Sequence, residues 1–150
     1  MKQVLRCAKD WSMGSLSQDY LRRAQAARIY DLVRHTPLDD APGLSARIGH
    51  KLWLKREDMQ LTYSFKLRGA YNCITQLTET ERCKGVVAAS AGNHAQGVAM
   101  SARKLGVKAL IVMPVTTPSI KVEAVRNYGA RIKLAGDAYD DAYAWAAAHA

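Results

Sequence analysis

Three short runs of strand type, each followed by a helical pattern, constrain this chain more than any other feature. Val86-Val87-Ala88-Ala89 is a run of strand type, 95–105 carries a helical spacing, and Ala109-Leu110-Ile111-Val112-Met113 is a second buried strand. Thr117-Pro118 enters another helix, with proline at its first position and Val122, Val125 and Tyr128 facing inward. Residues 130–134 form a third strand and Asp137 opens a last helix. Strand and helix alternating in this way imply an α/β architecture, an open parallel sheet covered by helices on both faces.

Upstream, Lys51-Leu52-Trp53-Leu54-Lys55-Arg56-Glu57 alternates polar and apolar residues as a half-buried strand does, and 58–63 break the pattern. From Ser64, whose hydroxyl can cap open N–H groups, small or apolar residues recur at Leu67, Ala70, Tyr71, Ile74 and Leu77. Thr78-Glu79-Thr80-Glu81 has the form of a capping box for a short helix that Gly85 ends. Nearer the start, Leu21, Ala24, Ala27 or Arg28, Ile29 and Leu32 read as one amphipathic helix, and His35-Thr36-Pro37-Leu38 as an extended break. Pro42-Gly43 and Gly49 bracket a short helix over 44–48. Residues 1–18 show no periodicity and are expected to be a mobile extension, with Met13 a second candidate start.

Lys66 falls in the first turn of the helix that Ser64 opens. The positive end of the helix dipole disfavours an ammonium there, and burial pushes the same way, toward the neutral amine that attacks carbonyls. Phe65, the chain's single phenylalanine, stands beside it and can press its ring on a flat cofactor. Position alone leaves the ordinary alternative open, a solvated surface lysine.

The second feature with chemical content is Ser90-Ala91-Gly92-Asn93-His94, which joins the carboxyl end of a strand to a helix start. Small residues let backbone N–H groups approach an anion, and the helix N-terminus supplies favourable partial charge. A dinucleotide fingerprint would need a second glycine where His94 stands, and a P-loop would need lysine where Val98 follows Gly97.

Composition excludes more than it assigns. Lys and Arg give a formal net charge of +9, but they are scattered through the pattern, with no nucleic-acid motif. Cys7, Cys73 and Cys83 form no C-x-x-C pair, and His35, His50, His94 and His149 lack metal-ligand spacing, so no metal site is expected. No apolar run reaches the ~20 residues of a membrane helix. These features together suggest a cytoplasmic protein with neither nucleic acid nor membrane as partner.

Lys55-Arg56-Glu57-Asp58, then Ser64-Phe65-Lys66-Leu67-Arg68-Gly69-Ala70 and Ser90-Ala91-Gly92-Asn93-His94-Ala95-Gln96-Gly97, resemble the threonine ammonia-lyase (threonine dehydratase) family. The resemblance runs from about Tyr20 to the end. It implies a tryptophan-synthase-β-like fold, pyridoxal 5'-phosphate as cofactor, and deamination of L-threonine or L-serine, with threonine giving 2-oxobutanoate for isoleucine biosynthesis. It implies that Lys66 holds the cofactor as a Schiff base and, once displaced, removes the Cα proton. Asn93 would bond the cofactor's ring hydroxyl, and Ser90, Ala91, Gly92, Asn93 and His94 the substrate carboxylate, with His94 less an acid or base than a donor of its backbone N–H. Residues 19–50 would open the larger cofactor domain, and 51–150 form the smaller one. Leu61, where the family often has proline, is a departure that touches only loop stiffness.

The family's glycine-rich phosphate cup cannot be placed, because no glycine cluster occurs here. The expectation is therefore an incomplete catalytic unit, an N-terminal piece, inactive by itself, whose intact protein is a homo-oligomer. A non-catalytic binding piece, a serine/threonine dehydratase of catabolic type and a basic nucleic-acid-binding domain are the competing readings.

Overall fold

The computed structural model describes residues 16–150; Cys7, Met13 and most of the expected 1–18 extension lie outside them. Helix α1 (Leu16–Ala26) is followed by a short 3-10 turn, Ile29–Asp31. Strand β1 (Leu38–Asp40), helix α2 (Pro42–Ile48) and strand β2 (Trp53–Lys55) come next, β1 and β2 pairing antiparallel across residue 50. Then come α3 (Lys66–Thr75), α4 (Glu79–Lys84), β3 (Val86–Ala89), α5 (Asn93–Lys104), β4 (Ala109–Met113), α6 (Ser119–Asn127), β5 (Arg131–Leu134) and α7 (Tyr139–Ala148).

The expected open parallel sheet is present, in the order β3-β4-β5. Because side chains alternate along a strand, each strand serves both faces. Val86, Ala88, Ala109, Ile111 and Met113 pack with Val98 and Ala102 of α5, Val122 and Val125 of α6, and Ile74 of α3. Val87 and Val112 point the other way, onto Ala142 and Ala146 of α7. Ile111 and Val98 have no exposed surface, and full burial of such side chains stabilises by about 1.5–3 kcal/mol each.

The entry to β3 rests on two local devices. Thr78 accepts the Glu81 N–H while the Glu81 carboxylate accepts that of Thr78, the expected capping box. Gly85 has φ +86°, and a Cβ there would stand 2.6 Å from the Lys108 carbonyl oxygen, so a side chain is excluded on both counts.

Three expectations need correction. The alternating stretch 51–57 is strand only over Trp53–Lys55, and all three residues are exposed, because β2 pairs with β1 alone and no described element packs over it. The helix expected to run to Leu32 stops at Ala26, with Leu21 59% exposed, so its apolar positions meet no described surface. Pro118, expected at the first position of α6, lies just before it with ψ 136°. No helix among the described residues is long and apolar enough to cross a membrane.

Candidate active site

The loop before α3 is held by buried polar groups. Gln60, 1% exposed, clips the backbone of Arg34 with its amide, donating from Nε2 to the carbonyl (2.7 Å) and accepting the N–H at Oε1 (3.1 Å). Glu57 accepts two hydrogen bonds from Arg68, at 2.9 and 2.8 Å, and one from the Thr36 hydroxyl at 2.6 Å. The Arg68 guanidinium, helped by Thr36, holds the Glu57 carboxyl below its ordinary range against the opposing effect of desolvation. Sequence reasoning gave Glu57 and Arg68 no role, since an ion pair between a loop and a helix leaves no periodic signal.

This clamp fixes the first turn of α3, whose first residue is Lys66. The buried Ser64 accepts the Lys66 N–H at its hydroxyl (3.3 Å), as the sequence suggests. The expected burial of Lys66 is not found: its side chain is exposed, and Nζ lies 5.0 Å from the centroid of the Phe65 ring, itself 57% exposed. An aromatic face attracts an ammonium by its quadrupole, so here Phe65 partners the charge that burial was expected to suppress.

Gly97 brings the second motif to the first. A Cβ on Gly97 would lie 3.2 Å from the backbone of Lys66 and Leu67, so α5 rests directly on the peptide joining them. The loop before α5 is tied to the sheet, with Ser90 N–H donating to the Val112 carbonyl (3.0 Å) and Gly92 N–H to the Ser90 hydroxyl (3.3 Å). No side chain caps α5, so its first N–H groups keep their capacity for an anion. Ser90, Ala91, Gly92 and His94 are half-buried and Asn93 is exposed. A Cβ at Gly92 would meet nothing within 4 Å, which leaves open space at the loop. Burial, reinforced by the Lys66 charge, lowers the His94 pKa and keeps its ring neutral at pH 7. The structure thus joins Lys66, Phe65 and the loop around one region. Among the described residues no cluster of three or more His, Cys, Asp or Glu side chains could hold a metal ion.

The sequence that carries Lys66 and the loop before α5 has counterparts among known proteins. Residues 29–150 match the family described as pyridoxal-phosphate dependent enzyme. The chain belongs to that family. It is 52% identical over 133 residues to the biosynthetic, chloroplastic threonine dehydratase 1 of Solanum lycopersicum, a match covering 89% of this chain and 22% of the relative. It is 53% identical over 126 residues to the biosynthetic L-threonine dehydratase IlvA of Pasteurella multocida, covering 84% and 25%. Among solved structures, the processed form of threonine deaminase isoform 2 from Solanum lycopersicum superposes with a TM-score of 0.81 at 48% identity, over 86% of this chain and 36% of that one. Maize serine racemase does so with 0.79 at 38% identity, over 87% and 39%. The chain thus spans about a quarter or less of the length of these curated relatives.

The residues present fit one end of the family's cofactor. An exposed primary amine beside an aromatic ring suits its aldehyde, and the absence of a side chain at Gly97 lets α5 lie against the backbone that carries that amine. No run of glycines in the sequence suits its phosphate.

Proposed function

We propose that the protein to which this chain belongs deaminates L-threonine to 2-oxobutanoate and ammonia, in the biosynthesis of isoleucine. The observation that carries the proposal is the close approach of Gly97 to the Lys66–Leu67 peptide, which seats the start of α5 against the backbone of Lys66. Threonine dehydratases at 52–53% identity supply the substrate.

Lys66 would hold the cofactor aldehyde, with Phe65 and Asn93 beside the ring. When bound, pyridoxal phosphate supplies an electron-poor ring able to accept the electron pair left at Cα. Ser90 and the N–H groups of Ala91, Gly92, Asn93 and His94 bind and orient the substrate carboxylate, and thereby the Cα–H bond. The amine of Lys66, once free, takes the Cα proton at Nζ. His94, held neutral, adds no competing positive charge beside that amine.

L-Serine is the second substrate to test, since a serine racemase is among the structural neighbours. An assembly with the remainder of the catalytic unit into a homo-oligomer, and a cytoplasmic setting, belong to the same proposal; the tomato relative is named chloroplastic. The test is 2-oxo acid release by the full-length protein from each amino acid, with Lys66→Ala alongside. A fall to below about one-thousandth is expected, within the ~10²–10⁴-fold of an acid–base group together with loss of the cofactor bond. Retained turnover in Lys66→Ala would refute the assignment, and turnover of serine alone would replace the substrate.

A further inference from the structure

Away from the site described above, a cavity of about 500 Å³ lies between α1, α3 and α4, within the size range of small-molecule sites. None of the residues assigned to catalysis lines it. Arg23, Arg28 and Arg82 line it; Arg23 pairs with Asp19 and Arg28 with Asp31, so of the three only Arg82 lacks a carboxylate partner among the described residues. Asp31 is already 3.3 Å from Arg28, and Arg23 has only an exposed pairing with Asp19 at 3.7 Å.

One buried donor is unsatisfied there, and a phenol in the same lining is open to a ligand. Tyr71 is 2% exposed and lines the cavity, yet its hydroxyl bonds to no described residue. Arg82 is anchored by a 2.6 Å bond from one terminal nitrogen to the Thr75 carbonyl, while its Nε is buried without an acceptor. Buried donors are rarely left without partners, and each such exception asks for an occupant. Burial and the nearby Asp31 raise the Tyr71 pKa, with Arg28 and Arg82 opposing, so the phenol stays a donor at neutral pH. Asn72, Thr75 and Gln76 add polar side chains to the lining.

We propose that this cavity binds a compact anion, of phosphate or carboxylate chemistry, held by the Arg82 guanidinium and the Tyr71 hydroxyl. Guanidinium groups suit such ligands because their planar N–H pairs match carboxylate and phosphate oxygens. Tyr71, Asn72 and Thr75 belong to α3, the helix that begins at Lys66, so the site shares a rigid element with the reactive amine.

The test uses the full-length protein saturated with its cofactor, so that the catalytic phosphate site is filled. Pyrophosphate and, separately, succinate are titrated calorimetrically into the wild type, Tyr71→Phe, Arg82→Gln and Ser90→Ala. Saturable binding of at least one probe is expected, weakened about tenfold by Tyr71→Phe and by Arg82→Gln, the factor of one charge-assisted hydrogen bond, and unchanged by Ser90→Ala. Preference for pyrophosphate assigns phosphate chemistry, and preference for succinate assigns a dicarboxylate. Absence of saturable binding, equal affinity in Tyr71→Phe, or loss in Ser90→Ala instead would overturn the proposal. Should Arg82→Gln not fold, Tyr71→Phe, which removes one unbonded hydroxyl, carries the test.

Discussion

Gly97 and Gly92 belong to the same motif and respond oppositely to one added methyl group. At Gly97 it would press on the Lys66–Leu67 peptide at 3.2 Å, whereas at Gly92 it meets open space. Gly97→Ala should therefore destabilise the full-length protein by about 1–3 kcal/mol, the usual cost of overpacking, and lower kcat by displacing Lys66. Gly92→Ala should leave the melting temperature unchanged while raising the threonine KM. Thermal melts and steady-state kinetics on both variants check this, and equal effects in the two would refute it. Within the loop, Asn93→Ala should shift the cofactor absorbance band, and Ser90→Ala should weaken substrate affinity with the band unmoved. Lys66 and the loop are legible in the sequence because they form a contiguous string at a helix start. The role of Gly97 is not, since a close approach between two helices leaves no mark on either helix's periodicity. Burial of Lys66 was inferred from its neighbours in sequence, and exposure depends on neighbours in space.

At the scale of elements, the clamp of Glu57 on Arg68 and Thr36 joins the β2 loop to α3. The two charged side chains are only 16% and 22% exposed, so solvent screens the pair less than a surface one. Glu57→Gln should cost about 1.5–3 kcal/mol at pH 7, the range for hydrogen bonds to charged groups. The folded carboxyl titrates below its ordinary value of 4.5. Its contribution is accordingly complete above pH 4.5 and lost as the pH falls through the lower folded value. Urea melts of wild type and variant should differ by a constant amount between pH 7 and about 5 and converge in more acid solution. A gap that persists below pH 3 would show that the pair's charge is not what stabilises. The same region shows where sequence patterning stops. Alternation over 51–57 reports a strand's period correctly for Trp53–Lys55 but says nothing of what covers it. Two strands of the main sheet were legible because Val86–Ala89 and Ala109–Met113 are apolar throughout, which itself signals burial on both faces.

For the whole molecule, the two rims of the main sheet differ in chemistry. β5 carries Arg131 and Lys133 along the outer side, charges that discourage pairing with another chain, while β3 is Val-Val-Ala-Ala. Val86 and Ser90 donate their N–H groups toward β4, so those of Val87 and Ala89 point to the open rim. Amide exchange at Val87 and Ala89 should be fast in residues 1–150 expressed alone and slow in the full-length protein; equal protection would show that nothing further pairs there. The position of α7 says why that rim matters. With α5 and α6 on one face, the chain winds from β3 toward β5; α7 lies on the other face, over β3 and β4. A right-handed crossover on that second face must travel backward, so any parallel strand it feeds lands beside β3. Such a strand would make β3 the point from which the winding departs in both directions, and a reversal of that kind opens a crevice just past the strand's carboxyl end. Ser90 to His94 occupy that place, so on the proposed function the hand of the winding, fixed by backbone sterics long before any chemistry, decides where the substrate binds.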